Sequence, residues 1–304
     1  MTDYIEPVEY KEENDRLSPV GFVITGGDVE LFKLLYGYRF LRREHFSALT
    51  GRPPKRLHRR LLKLVEKGYL SAIRLPQQKH IYALAKAALP VLVEHGVGDL
   101  DLLLVRLRTH ELKELFLKHE MMIVDLHVIL AIATRGGELR LTDWQEGREL
   151  YDTVDVSDHS GVNRLPVRPD AFLTLEDSRR PEGANRAWFF LEADRSTTTQ
   201  TRFKEKIRAY WNYLQQGLHV TKFGIKRFRV LTVTLTPERA QNLRNLAASS
   251  LPEAARRYFL FASLHSFSLE SPNSILQSVW LSARDTGTYH ELIPPPAPTP
   301  VDVP

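Results

Sequence analysis

Residues 51–75 read GRPPKRLHRRLLKLVEKGYLSAIRL, and the fold of the first third of the chain turns on them. Gly51-Arg52-Pro53-Pro54 is turn chemistry, with proline placed to open a helix. Leu57, Leu61, Leu64 and Val65 then recur at helical spacing over about Lys55–Lys67. The opposite face reads Lys55, Arg56, Arg59, Arg60, Lys63 and Lys67, and Gly68 closes the helix. Tyr69–Arg74 and His80–Ala83 follow as two short strands around Pro76-Gln77-Gln78-Lys79.

Working upstream, Asp28 is the expected N-cap of a short helix carrying Val29, Leu31, Phe32, Leu34 and Leu35, which Gly37 ends. A second helix is expected over about Arg42–Leu49, stopping at Thr50-Gly51. Two short helices, a tight turn and a basic third helix make a helix-turn-helix, and the two strands make a wing. In this arrangement the third helix enters the major groove of double-stranded DNA. Residues 28–95 resemble winged helix-turn-helix domains. The expected contacts are Arg56, Arg59, Arg60 and Lys63, with Arg52 and Lys55 on phosphates and Lys79 at the wing tip on the backbone or minor groove.

Charge is distributed accordingly. Residues 1–30 hold two basic and eight acidic residues, net −6, whereas residues 31–90 hold fourteen basic and two acidic, net +12. The remaining 214 residues sum to −1, so the chain's +5 conceals one strongly cationic block. Such a block is the electrostatic footprint of a nucleic-acid-binding module.

Downstream, Glu94–Gly98 is the expected junction, followed by a long helix over about Leu102–Thr134. Strands are expected at Leu139–Thr142, Pro169–Leu175 and Trp188–Asp194, then a helix over Thr199–Gln216 capped by Ser196 to Thr199. A strand at Arg229–Leu235, a helix at Pro237–Ala248 and a strand at Arg257–Leu264 complete the order. The fold class is α/β, α+β overall, with a mixed sheet flanked by helices. The domain scheme is an acidic arm at 1–27, a DNA-binding domain at 28–97, an α/β domain at 98–285 and a Pro-rich tail at 286–304. Tyr210, Trp211 and Tyr213 fall at helical spacing and are expected in the core, the alternative being that they stack on single-stranded bases.

One constellation in the second domain carries chemistry. Asp170 opens one strand, and Glu192 and Asp194 share a face at the end of the next. Three converging carboxylates suit Mg²⁺ or Mn²⁺, which activates water against a phosphodiester. Pro169-Asp170, Glu192 and the strand order resemble the restriction-endonuclease-like PD-(D/E)xK superfamily. That resemblance implies metal ligation by Asp170 and Glu192 and a lysine that helps the attacking water. Asp194 stands where the lysine belongs, so Lys204 or Lys206 on the next helix is the substitute. Lys206 and Tyr210, four apart, share a helical face in the manner of a polar-residue and tyrosine pair in some of those nucleases. Glu120 is a candidate fourth carboxylate.

Taken in order, "YRFL", "LTG", "RRLLKLVEKGYL", "LKHEMMIVDLHVIL", "RPDAFLTL", "FFLEADRST" and "FKEKIRAYWNYL" resemble the replication-relaxation family over about residues 28–235. The resemblance implies a DNA-binding protein of plasmids or mobile elements, acting in plasmid replication, DNA relaxation or mobilisation, with relaxase or replication proteins as partners. Two alternatives stand beside it: a Mg/Mn-dependent nickase using Asp170, Glu192 and Asp194, and a transcriptional repressor whose second domain only forms a homodimer. An ATPase is excluded by the lack of a Gly-x-x-x-x-Gly-Lys loop. No two His stand two residues apart, which removes the paired-His motif of rolling-circle relaxases.

The absence of cysteine excludes disulfides and thiolate zinc sites and fits a reducing compartment. The most apolar stretch, Met121–Ala133, is broken by Asp125 and His127, so no membrane span is expected. The acidic first fifteen residues differ from a signal peptide, and the expected location is cytoplasmic.

Overall fold

The computed structural model describes residues 22–75, 79–98, 113–158, 161–196, 198–285, 287–294 and 296. Most of the acidic arm, the expected tip of the wing, the start of the long helix and much of the Pro-rich tail lie outside them. The chain is mixed α/β and divides into two compact units, Met1–Val128 and Ile129–Pro304.

The first unit opens with α1, Gly26–Tyr38. Its N-cap is Thr25, in extended conformation, and Asp28 sits one turn in, accepting from the Thr25 N–H and Oγ1 at 2.7 Å each. Asp28 therefore completes a capping box from the inside, because Gly26-Gly27 are already helical. Two residues, Leu41–Arg42, form β1, and α2 follows at Arg43–Thr50, closed by Gly51 in the left-handed conformation at φ 70°. Helix α3, Pro54–Glu66, starts on proline as expected and buries Leu57, Leu61 and Leu64. Strands β2 (Leu70–Ile73) and β3 (Ile81–Leu84) pair antiparallel, and β1 joins the other edge of β3 to give the order β1-β3-β2. After α4, Ala88–Glu94, the described chain resumes with α5, Glu114–Ala133, and the division between units falls inside this helix. The part of α5 in the first unit buries Leu117, Met121 and Val124 and makes polar contacts through Asp125, which accepts from Arg42 at 2.9 Å and lies 2.8 Å from His45 Nε2.

The second unit is built on a seven-stranded sheet. Its strands are β4 (Leu139–Gln145), β7 (Ala171–Asp177), β8 (Arg186–Asp194), β9 (Arg229–Thr234), β10 (Phe259–Ser263), β11 (Trp280–Ser282) and β12 (Tyr289–His290). The order across the sheet is β12-β11-β10-β9-β8-β7-β4, in which only the β8–β9 and β9–β10 pairs are parallel. Parallel neighbours need crossovers, and helices supply them. Helix α6, Gln200–Gln215, with the short α7, Leu218–Phe223, joins β8 to β9, and α8, Pro237–Ser250, with α9, Glu253–Arg256, joins β9 to β10. A separate hairpin, β5 (Asp152–Asp158) and β6 (Gly161–Val167), lies against α6. Phe190, Ile207, Tyr210, Tyr213, Val230 and Phe261 belong to one buried cluster, so Tyr210 and Tyr213 are core as expected. No helix among the described residues is long and apolar enough to cross a membrane.

Candidate functional site

Two groups of side chains stand out, one in each unit. In the first, α3 divides its cations by what they touch. Arg60 turns inward: its Nε donates to Asp28 at 2.7 Å, its Nη2 pairs with the same carboxylate and donates to the Val23 carbonyl, and its guanidinium lies 4.6 Å from the Phe22 ring centre. Asp28 is 1% exposed, and although burial opposes ionisation, Arg60 and Thr25 outweigh it and hold the carboxyl below its ordinary value. Arg52 likewise donates to the Gly27 carbonyl at 2.9 Å and pairs with Glu30. These two arginines fasten α3 and the turn before it to α1. Lys55, Arg56, Arg59 and Lys63 are left exposed. Arg56, Arg59 and Lys63 fall three and four apart, so they form a stripe along one face of the helix. Lys79 lies 3.1 Å from Glu44 and, with Arg43, His58, Arg74 and His80, lines a cleft of about 280 Å³ beside α3. Burial, then the charges of Arg74 and His58, push His80 below its ordinary value.

In the second unit the strand ends bring several predicted residues together. Asp170 immediately precedes β7; its N–H donates to the Leu191 carbonyl at 2.9 Å, and its carboxylate accepts from the Ala193 N–H at 2.7 Å. That register sets Asp170 beside Glu192. Glu192 is 3% exposed; it pairs with Lys206 and accepts from the Tyr210 hydroxyl at 2.5 Å. The shared face of Lys206 and Tyr210 thus closes over one carboxylate. Burial pushes Glu192 up, to about 7, against the pull of Lys206, while Asp170 adds to the rise. Lys206 is held above its ordinary value by Glu192 and Asp170, which together outweigh its burial. Tyr210 is pushed up by burial and by Glu192.

Asp194 has a different set of partners. It accepts from Arg239 Nη2 at 3.0 Å, from Arg239 Nε at 3.3 Å and from the Ser196 N–H at 2.6 Å. Arg239 also donates to the Thr198 carbonyl at 2.7 Å, tying α8 to the segment before α6. Arg239 has no motif to announce it: its place is legible only once the β8–β9–β10 order is known. Thr199 caps α6 by accepting from the Arg202 N–H at 3.3 Å. Lys204 is exposed, two residues and roughly 200° around the helix from Lys206. Glu120 lies in the first unit, where it accepts from Arg39 at 3.4 Å.

The donor set can be tested against a divalent ion. Both oxygens of Glu192 and both of Asp194 are engaged by donors of the chain itself. Among the described residues no group of three or more His, Cys, Asp or Glu side chains stands in a metal-holding arrangement. As the side chains stand, they do not fit a three-carboxylate centre; an ammonium and a guanidinium supply the positive charge that such a centre takes from metal.

The fold and these groups define a two-unit α/β protein with a cationic helical face in one unit and a lysine-neutralised carboxylate cluster in the other. The family model described as replication-relaxation matches residues 32–226, and the chain belongs to that family. Comparison with curated proteins finds no match, and neither does comparison with solved structures.

Proposed function

We propose that this chain is a DNA-binding protein of a plasmid or other mobile element, acting in replication or relaxation of that element's DNA without cleaving it. Family membership supports the setting. The observation that carries DNA binding is the exposed stripe of Arg56, Arg59 and Lys63, with Lys55, on a helix fastened from behind by the Arg60–Asp28 pair. In this reading the first unit is a winged helix-turn-helix: α3 lies in the major groove, β2 and β3 flank it as the wing, and Arg52 and Arg60 position the helix instead of touching DNA. The second unit is a nuclease-like scaffold whose carboxylates serve its own packing.

The binding test is a salt titration on duplex DNA. Each lost phosphate contact lowers the slope of log affinity against log salt by about 0.9, so Arg56→Ala with Arg59→Ala is expected to lower it by about 2 if both reach phosphates. Unchanged affinity and slope would remove α3 as the docking element. For the absence of cleavage, supercoiled plasmid incubated with the protein and Mg²⁺ or Mn²⁺ is expected to stay supercoiled. Nicking that disappears in both Asp170→Ala and Glu192→Ala would establish the endonuclease reading in its place.

A further inference from the structure

The three mutually parallel strands β8, β9 and β10 start at one edge of the sheet, at the opposite ends from Glu192 and Asp194. Each start carries arginine beside an aromatic ring: Arg186 and Trp188 on β8, Arg227, Phe228 and Arg229 at β9, and Arg257 and Tyr258 just before β10. The register aligns them, with Phe189 opposite Arg229 and Phe259 opposite Val230. Together they line a cleft of about 350 Å³, within the range of sites that hold small ligands. Arg180 joins the lining, giving five arginines against one carboxylate, Asp177. That carboxylate is buried and is also bound by Arg179 at 2.7 Å.

The arginines are not equivalent. Arg229 donates to the Leu292 carbonyl at 2.8 Å and lies 4.8 Å from the Phe189 ring centre, so it has a structural role. Arg180 is bound to Asp177 and to the Pro294 carbonyl, and Arg186 reaches Glu176 at 3.4 Å. Arg227 and Arg257 are exposed, and among the described residues neither has a carboxylate partner. Arg257 donates to the Tyr258 hydroxyl at 3.0 Å and stands 5.0 Å from the centre of that ring.

We infer that this cleft binds single-stranded DNA, with Arg227 and Arg257 on phosphates and bases against the rings of Trp188 and Tyr258. Cations that track a backbone and aromatic faces that take unstacked bases are the two requirements of such a site. A duplex keeps its base faces stacked and offers nothing to rings set in a cleft. Crowding of positive charge adds to the case: burial, with Arg227 close by, pushes Arg229 down to about 10, and a bound phosphate relieves that repulsion. The site is separate from the duplex-docking helix and does not depend on it.

Fluorescence anisotropy of the full chain with a labelled 20-nucleotide oligothymidylate and with a duplex of the same length tests the assignment. Arg227→Ala with Arg257→Ala is expected to weaken oligothymidylate binding about tenfold and to lower its salt slope by about 1.4, two phosphate contacts at 0.7 each. Duplex affinity is expected to stay within about twofold, and Arg227→Lys with Arg257→Lys to restore the salt slope, since the charge on the phosphates is kept. In the converse arm, Arg56→Ala with Arg59→Ala weakens duplex binding and leaves the oligothymidylate unaffected, so the two sites fail separately. Unchanged oligothymidylate affinity in the first pair overturns the inference. So does an equal loss on single strand and duplex, or competition by thymidine monophosphate as strong as by the oligonucleotide, which would make the ligand a free nucleotide.

Discussion

Glu192 shows how far a single side chain can be read from sequence. Its position as a strand-end carboxylate beside Asp170 was legible, because Pro-Asp and Glu-x-Asp fall on successive strands and alternate faces are fixed by the pleat. The partners around it are half legible: Lys206 and Tyr210, which hold Glu192, follow from helical spacing, but Arg239, which holds the neighbouring Asp194 from 45 residues further on, arrives through the sheet order. The Glu192–Lys206 pair also makes a prediction about pH. Removing the ammonium in Lys206→Met takes away what pulls Glu192 down, so its carboxyl titrates above about 7. A carboxyl whose folded value is raised stabilises the fold fully at acid pH, below the unfolded value near 4.5, and that stability is lost as pH rises through the folded value. The variant should therefore lose little at pH 5 and more at pH 8, where breaking a buried pair costs about 3–5 kcal/mol. Urea unfolding at the two pH values measures this, and equal losses would mean that Lys206 contributes packing alone.

At the scale of elements, α3 separates an arginine that fastens the helix, Arg60, from exposed cations, Arg56, Arg59 and Lys63, that the proposed function assigns to docking. Asp28→Asn leaves Arg60 without its carboxylate and breaks the α1 capping box, two losses that together are expected to cost about 3 kcal/mol. Asp28 is held low in the folded state, so its contribution is present above an unfolded value near 3.8 and is lost as pH falls through the lower folded one. Thermal unfolding near neutral pH should show the loss in Asp28→Asn, and Arg59→Ala should leave the midpoint unchanged, because Arg59 is exposed. The helices were legible because caps and apolar spacing agree, as at Gly51, Pro54 and Thr199. The strands that escaped did so for physical reasons. Strand β1 has two residues and no pattern of its own; β5 is rich in aspartate, and β6 carries Pro166, both disfavoured in strands. Strands β11 and β12 are too short for a period to register.

For the molecule as a whole, charge is allotted by unit. The cationic block falls within the first unit, while the near-neutral second unit sets five arginines around one cleft at the start of its parallel strands, whose other ends carry the buried Glu192 and Asp194. Among the described residues the α3 pair and the cleft pair have no partner in common, and substitutions at independent sites add to within about 0.5 kcal/mol. A protein carrying all four changes, Arg56→Ala, Arg59→Ala, Arg227→Ala and Arg257→Ala, should thus show the duplex affinity of the first pair and the oligothymidylate affinity of the second. On the proposed reading, a duplex joined to a single-stranded extension offers each site its own ligand, and one DNA molecule held at both makes the second contact intramolecular. The unaltered protein is expected to bind that junction at least tenfold more tightly than either half, and each pair of changes alone to abolish the advantage. Titration of the junction against its separate halves measures it. Equal affinity for junction and duplex would show that the two sites never act on one DNA molecule.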